Sequence, residues 1–438
     1  MIKTTSFLTF KKSCLLLLSF CLLVSCKQPN KAEVEPIETT VVDNSIPPLQ
    51  FIENPAAGNA FLPRLYSNGR SLFMSWVHTE DSVATLNYSK RHGTAWSQPI
   101  TVASGTDWFV NWADFPTISE NNGAIFTNIL QRSADGTYTY DIKLNLFHGG
   151  STTVAQDAKA SWFKDLKLHN DTTKSEHGFV SLIPYLDNSF MVSWLDGRNT
   201  SGMSHGEHDD DHGGAMTLRA AVVHANGTIS NRVQLDDRVC DCCGTSMAMT
   251  EAGPVVVYRD RSEGEVRDIS IVRYIDDRWT TPQTVAEDNW EIPGCPVNGP
   301  AVSSFKNILA VAWFTAAKGE GDVQVAFSED NGAHFGHAFR IDVGNATGRV
   351  DIVMINEEDA AVLWMEPNGE NDVIQLMKIN KHGYTKPPIV VSSTAASRAS
   401  GFPQLELVGD HLYCAWTLVH EQDKQIKTAT IAVSDLDH

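Results

Sequence analysis

Apolar residues recur along this chain in short bursts rather than in long stripes. Six bursts end in an aromatic residue: Phe73–Trp76, Met191–Trp194, Val255–Tyr258, Ala310–Trp313, Ala361–Trp364 and Tyr413–Trp416. Ala124–Gln131 occupies the equivalent place without the aromatic. Each burst is preceded by a shorter apolar segment and a turn. Each is followed by a polar loop and a segment alternating with period two: Thr85–Ser89, Ile142–Phe147, Leu218–Val223, Ile269–Arg273, Val323–Phe327, Ile374–Ile379 and Ile426–Ala432. Period two is the spacing of a half-buried strand. Fourth strands follow a further turn, and Trp96–Ala103 and Trp279–Ala286 are near copies of each other.

Residues 47–438 therefore divide into seven units of about 56 residues, each of four short strands, which is the pattern of a β-propeller. The expected fold is all-β, with seven blades favoured over six. The last unit ends without a fourth strand. Residues 49–53, followed by Asn54–Pro63, echo Ile389–Val391 and the segment after it, so they are expected to complete the last blade. That closure leaves no open sheet edge at the ring's seam.

The N-terminus follows different rules. Lys3, Lys11 and Lys12 precede the apolar run Cys14–Val24, which is short for a membrane span and suits a signal peptide. Leu23-Val24-Ser25-Cys26 resembles the lipobox of bacterial lipoproteins. The resemblance implies a signal peptide over residues 1–25, lipidation at Cys26, and export to the bacterial cell envelope with a lipid anchor in the membrane. Residues 26–46 lack apolar periodicity and read as a flexible tether. The net charge of −19, becoming −22 once the three leader lysines are removed, argues against nucleic acid as a partner. A monomer is expected, with no cofactor.

Ser328-Glu-Asp330-Asn-Gly332-Ala-His-Phe335 has the Ser-x-Asp-x-Gly-x-x-aromatic form of an Asp-box, a tight turn between third and fourth strands. In that position it resembles the turns of sialidase-like (neuraminidase-like) propellers, and the repeat covers nearly all of the chain after the tether. The chain is also similar to a group of bacterial sialidase-like proteins, through Trp194–Arg198, Cys240–Thr245, Tyr258–Arg261 and Gly294–Pro300. The resemblance implies a propeller acting on an acidic glycan. Well-known sialidases hold the substrate carboxylate with three arginines and use a tyrosine activated by a glutamate, with an aspartate as acid and base. Where those enzymes open their first blade with Arg-Ile-Pro, this chain has Leu62-Pro63-Arg64.

Propeller topology sorts the unusual residues onto one face. Loops leading from a fourth strand to the next blade carry Trp108, Trp112, Asp114, Glu176-His177, Cys240–Thr245, Asn289–Asn298, Arg349 and Arg398. Loops between second and third strands carry His78, Asp196, Arg198, Arg259, Asp260, Arg261, Glu265, Arg267 and Glu366. Asp196, Asp260 and Glu366 each fall two residues after their blade's aromatic, and are the candidate acid, base or nucleophile for glycoside hydrolysis. Arg198, Arg259, Arg261, Arg267, Arg349 and Arg398, with Trp108, are the candidate binders of an anionic sugar or other small anion. The same arginines could instead tie neighbouring blades. Tyr258 shares the place of five tryptophans and reads as core. Cys240, Cys242, Cys243 and Cys295 fall in loops of neighbouring blades and can form disulfides or a four-thiolate metal site. Cys414 reads as a buried free thiol. His205–His212, rich in His and Asp, reads as a solvated insertion or a weak metal site. Three functions stay open: a glycan-active sialidase-like enzyme, a non-catalytic glycan- or protein-binding propeller, and a metal- or redox-linked exported protein.

Overall fold

Strands pair antiparallel in seven separate sheets, six of them built from consecutive strands and the seventh closed by the N-terminal strand, and together they make a seven-bladed propeller. A computed structural model describes residues 49–148, 162–200, 214–421 and 423–437. The leader, the tether with Cys26, and His205–His212 lie outside the described residues.

Blade 1 spans Ala60–Gly105, blade 2 Ile118–Lys167, blade 3 His177–Val239 and blade 4 Ser246–Ala286. Blade 5 spans Ala301–Arg340 and blade 6 Gly348–Ala395. Blade 7 takes three strands from Gln404–Ala432 and its outermost strand from Gln50–Ile52. Phe51 pairs with Ala429 in that closure. The Thr428 hydroxyl donates to Ile52 O at 2.7 Å and Asn54 Nδ2 to Ile426 O at 3.0 Å. Trp96 Nε1 reaches back from blade 1 to Glu53 O at 3.0 Å, so the N-terminal segment bridges the seam.

The second strands are apolar without a break because blades pack on both of their faces. Ser189–Asp196 is buried at every position, and Trp194, Trp313, Trp364 and Trp416 are among the largest fully buried side chains. Third strands depart from the half-buried expectation. Asp322–Ser328 is buried throughout, because middle strands meet a neighbouring blade on each side. Exposure is greatest in the outermost strands, such as Ile229–Val239, and at strand ends, while the third strand of blade 1, Val83–His92, keeps the alternating pattern. The near-copy segments of blades 1 and 4 break alike. Ala95–Trp96 and Arg278–Trp279 pair first, Pro99 and Pro282 interrupt, and pairing resumes at Ile100 and Gln283. Proline has no N–H to give the ladder.

The Ser328–Phe335 turn is held by its own side chains. Asp330 Oδ1 accepts from the Ser328 hydroxyl and from His334 N, each at 2.9 Å, and Gly332 takes φ 80°. Phe335 packs under the turn beside the core of blades 4 and 5. The seven innermost strands, or the residue just before them, surround a cavity of about 90 Å³ with Arg64, Thr117, Val180, Ser246, Ala301, Asp351 and Gln404.

Candidate functional site at the channel mouth

Three of the innermost strands carry the same irregularity. Register slips between Phe61 and Arg64 in blade 1, Gly178 and Ser181 in blade 3, and Gly348 and Asp351 in blade 6. At these bulges Leu62, Phe179 and Arg349 take φ of 54–56°, a sparsely populated region for such side chains. In each case the displaced N–H is caught by a side chain from a neighbouring loop or blade. Leu62 N donates to Thr417 Oγ1 at 3.2 Å, Phe179 N to Asp114 Oδ1 at 2.8 Å, and Arg349 N to Asn298 Oδ1 at 2.7 Å. Bulges re-aim side chains, and these three stand around the channel.

Asp114 belongs to the loop between blades 1 and 2. Asn111 Oδ1 accepts from Ala113 N at 2.8 Å, making an Asx turn that fixes this loop. Trp112 stacks on Phe402 of the loop before blade 7, with centroids 5.8 Å apart, while Asp114 reaches blade 3. The second oxygen of Asp114 is buried against Gly178 and the Tyr140 ring without a well-aligned hydrogen-bond partner. A Cβ at Gly178 would lie 1.8 Å from it, so only glycine admits Asp114 there.

Tyr140 is fully buried, stacks on Phe109 at 4.3 Å, and donates its hydroxyl to Glu176. Burial pushes Asp114 up to about 7, against the Phe179 N–H and the Tyr140 hydroxyl. Burial also pushes Glu176 up to about 8; Tyr140 opposes this, and the charges of Asp114 and Asp241 add to it. Tyr140 is raised well above an ordinary phenol by burial and by those carboxylates. Both carboxyls are thus brought near neutral pH, and Tyr140 stays a neutral phenol.

Behind them a second cluster is neutralised internally. His169 and His177 stack face to face at 3.6 Å. Asp171 Oδ2 lies 2.8 Å from His169 Nδ1 and 3.1 Å from His177 Nε2, and 3.2 Å from Arg198. Asp141 meets His169 at 3.2 Å and Lys167 at 3.3 Å. Despite burial, His169 and Lys167 draw Asp141 down to about 2.

The far side of the mouth carries arginines. The Arg349 guanidinium lies 4.8 Å above the Trp112 ring and donates to Ser397 O and Gly401 O. Arg398, exposed, lies 6.0 Å from the same ring. Neither forms an ion pair with a carboxylate among the described residues. Arg64 lines the central cavity with Asp114 and Phe402, and donates to Gln404 Oε1 at 3.0 Å.

The residues singled out from sequence are dispersed around this mouth. Asp196 accepts from Trp194 Nε1 at 2.9 Å and Glu366 from Trp364 Nε1 at 2.7 Å, so each satisfies the indole of its own blade. Both carboxylates are buried, and Asp196 is also clasped by Arg198 at 2.7 and 2.8 Å. Asp260 takes Arg261 N and the Ser270 hydroxyl, and burial with the Asp236 charge raises it to about 6. Arg259 ties blade 4 to blade 5 through Asn298 O at 2.9 Å and Phe314 O at 2.6 Å. Arg261 and Arg267 converge on Glu265. Trp108 packs with Phe61, Val77 and Ala84 between blades 1 and 2, and Trp112 is the indole at the mouth. Tyr258 is core, with its hydroxyl on Asp236.

The five described cysteines are free thiols, and no disulfide joins them. Cys240 Sγ is 2.8 Å from Cys243 Sγ and 4.0 Å from Cys242 Sγ, and Cys295 faces the Cys242 thiol from the next loop. Cys414 is buried alone in blade 7. Two larger hollows, about 790 and 780 Å³, flank the N-terminal closing strand, away from these groups.

No family model and no curated protein matches the chain. Its similarity is to solved structures. An ulvan lyase bound to -[GlcA(1-4)Rha3S]- superposes with a TM-score of 0.50 at 11% identity, covering 88% of this chain and 94% of that one. A Hadza microbial sialidase gives 0.41 at 13% identity, over 70% of this chain and 63% of its own. A Trypanosoma rangeli sialidase gives 0.42 at 12% identity, over 74% and 54%. The likeness to the ulvan lyase is one of fold.

Tyr140, Glu176 and Asp114 were not candidates on sequence. Asp114 and Glu176 did stand in loops assigned to the mouth. Tyr140 opens an ordinary third strand, and nothing local marks it.

Proposed function

We propose that this chain is an exported, lipid-anchored, sialidase-like glycoside hydrolase acting on acidic glycans at the channel mouth. One observation carries the reading: a tyrosine hydroxyl bonded to a glutamate, with an aspartate raised to about 7 by burial beside it, opposite two arginines that form no ion pair among the described residues. Arg349 and Arg398, with Arg64 below, supply planar donors for a sugar carboxylate. A neutral phenol is the better nucleophile against such a sugar, because an anionic one would be repelled by the substrate's own charge.

In this mechanism the buried Tyr140 hydroxyl is uncovered as the sugar enters and attacks the anomeric carbon, while Glu176 in its ionised form accepts the phenolic proton. Asp114 donates its proton to the departing glycosidic oxygen. A water, deprotonated by Asp114, then breaks the bond between sugar and Tyr140, and Glu176 returns the proton to the phenol. Burial tunes both carboxyls toward neutral pH, where one can give a proton and the other take it.

The test is an assay of the purified chain on sialosides, uronate-containing oligosaccharides and other acidic glycosides. Release of a free acidic sugar, lost in Tyr140→Phe, supports the reading. An unsaturated, ultraviolet-absorbing product would reassign the chemistry to β-elimination. Saturable glycan binding without turnover would make the propeller an adhesin.

A further inference from the structure

The thiol cluster adjoins Glu176, which feels the charges of Asp241 and Cys295, but takes no part in the steps above. Cys240, Cys242 and Cys243 precede the innermost strand of blade 4, and Cys295 lies in the loop before that of blade 5. These loops touch backbone to backbone: a Cβ on Gly299 would sit 2.0 Å from Gly244 O. No side chain separates them there, so the thiols of two blades are brought together. The Sγ atoms of Cys240, Cys242 and Cys243 all lie within 4.8 Å of one another.

We propose that Cys240, Cys242, Cys243 and Cys295 hold one thiophilic d10 metal ion, zinc(II) or copper(I), in a four-thiolate site that joins blade 4 to blade 5. Zinc–sulfur bonds of about 2.3 Å in a tetrahedron set S···S edges of about 3.8 Å. The Cys240–Cys242 separation of 4.0 Å matches that edge. The Cys240–Cys243 pair, at 2.8 Å, is longer than a disulfide bond and opens by about 1 Å to admit the ion.

Charge supports the assignment. Four thiolates exceed the charge of either ion, and buried cations stand ready to balance them. Arg267 is 2% exposed and donates Nη1 to Cys240 Sγ at 3.5 Å, while its Nη2 is held by Glu265 at 2.6 Å. Arg259 is 1% exposed and gives its guanidinium to three backbone carbonyls, with no carboxylate within ion-pair distance among the described residues. A guanidinium donating to a ligating sulfur is the kind of outer contact that orients metal ligands.

The experiment is elemental analysis of the full chain purified without chelator, with thiol counting on the unfolded protein and cobalt(II) substitution. One zinc or copper ion per chain is expected, with cobalt giving a thiolate charge-transfer band. Cys240→Ser should abolish binding, whereas Cys414→Ser should leave the stoichiometry unchanged. Cys295 is exposed and outside the core, so Cys295→Ser keeps the fold and should weaken metal retention at least tenfold, on the order of one thiolate ligand's contribution. Recovery of copper(I) in place of zinc, lost in the same variants, upholds the site and names the ion. Two disulfides with no bound metal would overturn the proposal, as would one ion per chain that survives both Cys240→Ser and Cys295→Ser. Hydrolysis of acidic glycosides is read separately, so either conclusion can fail without the other.

Discussion

The two walls of the channel mouth differ in what their charged groups lack. Within the wall of blades 2 and 3, Asp114 lines the cavity with Tyr140 and Glu176 buried behind it, and burial raises all three groups. On the wall of blades 6 and 7, Arg349 and Arg398 lie over Trp112 with no carboxylate paired to them. Arg198 is committed to Asp196 and Asp171, and Arg261 and Arg267 to Glu265, while Arg259 is spent on three backbone carbonyls between blades 4 and 5. In the proposed function, this contrast would orient an acidic sugar with its carboxylate toward the arginines and its glycosidic bond toward the tyrosine. One loop spans both walls, since Trp112 and Asp114 sit either side of Ala113 in the turn that Asn111 caps.

Removing the reactive wall's phenol should have the largest effect. Tyr140→Phe keeps the ring stacked on Phe109 and should lower kcat about a thousandfold, with substrate binding retained. Steady-state kinetics with calorimetric binding separates the two effects. On the opposite wall, Arg398→Lys keeps charge but loses the planar fork, and should raise Kd for an acidic sugar about tenfold without altering the fold. An unchanged Kd would remove the clamp from the account.

The walls also differ in their response to pH. Asp114 and Glu176 have folded pKa values of about 7 and 8, raised above ordinary carboxyl values near 4. The stability they contribute as neutral groups is complete below about pH 4 and is lost as pH rises through 7 to 8. The domain should therefore melt at higher temperature at pH 5 than at pH 9, and Asp114→Asn with Glu176→Gln should flatten that slope. Asp141, drawn down to about 2, acts in the opposite sense and only below pH 4, outside this window. Equal Tm values for the unmodified domain at pH 5 and pH 9 would show that neither carboxyl is held neutral.

The smallest effect is expected at Glu366. Glu366→Gln keeps an oxygen for the Trp364 indole, so activity should change by less than about threefold. A large loss would return Glu366 to the reacting set.

The ring was legible in the sequence because each blade repeats one hydrophobic pattern. The closing strand at Gln50–Ile52 was legible because its flanking segment echoes another blade. The site was legible only in part. Loop topology placed Arg349, Arg398, Asp114 and Glu176 on the right face. Which of them pair internally depends on the bulges at Leu62, Phe179 and Arg349, and no local residue pattern announces these. Tyr140 had no signal, since its role comes from Gly178 and Asp114 of other elements packing against it. Asp196 and Glu366 drew attention by recurring two residues after a tryptophan, and the recurrence serves that tryptophan's N–H.

The most direct test of the central claim is to trap the reaction on the enzyme. An acidic sugar matched to whichever glycoside the chain cleaves, with fluoride as its anomeric leaving group and a second fluorine on the adjacent carbon, is incubated with it and the peptides are mapped by mass spectrometry. The account predicts one glycosyl adduct, on the peptide containing Tyr140 and absent in Tyr140→Phe. An adduct on Asp196, Asp260 or Glu366, or turnover that persists in Tyr140→Phe, would contradict it.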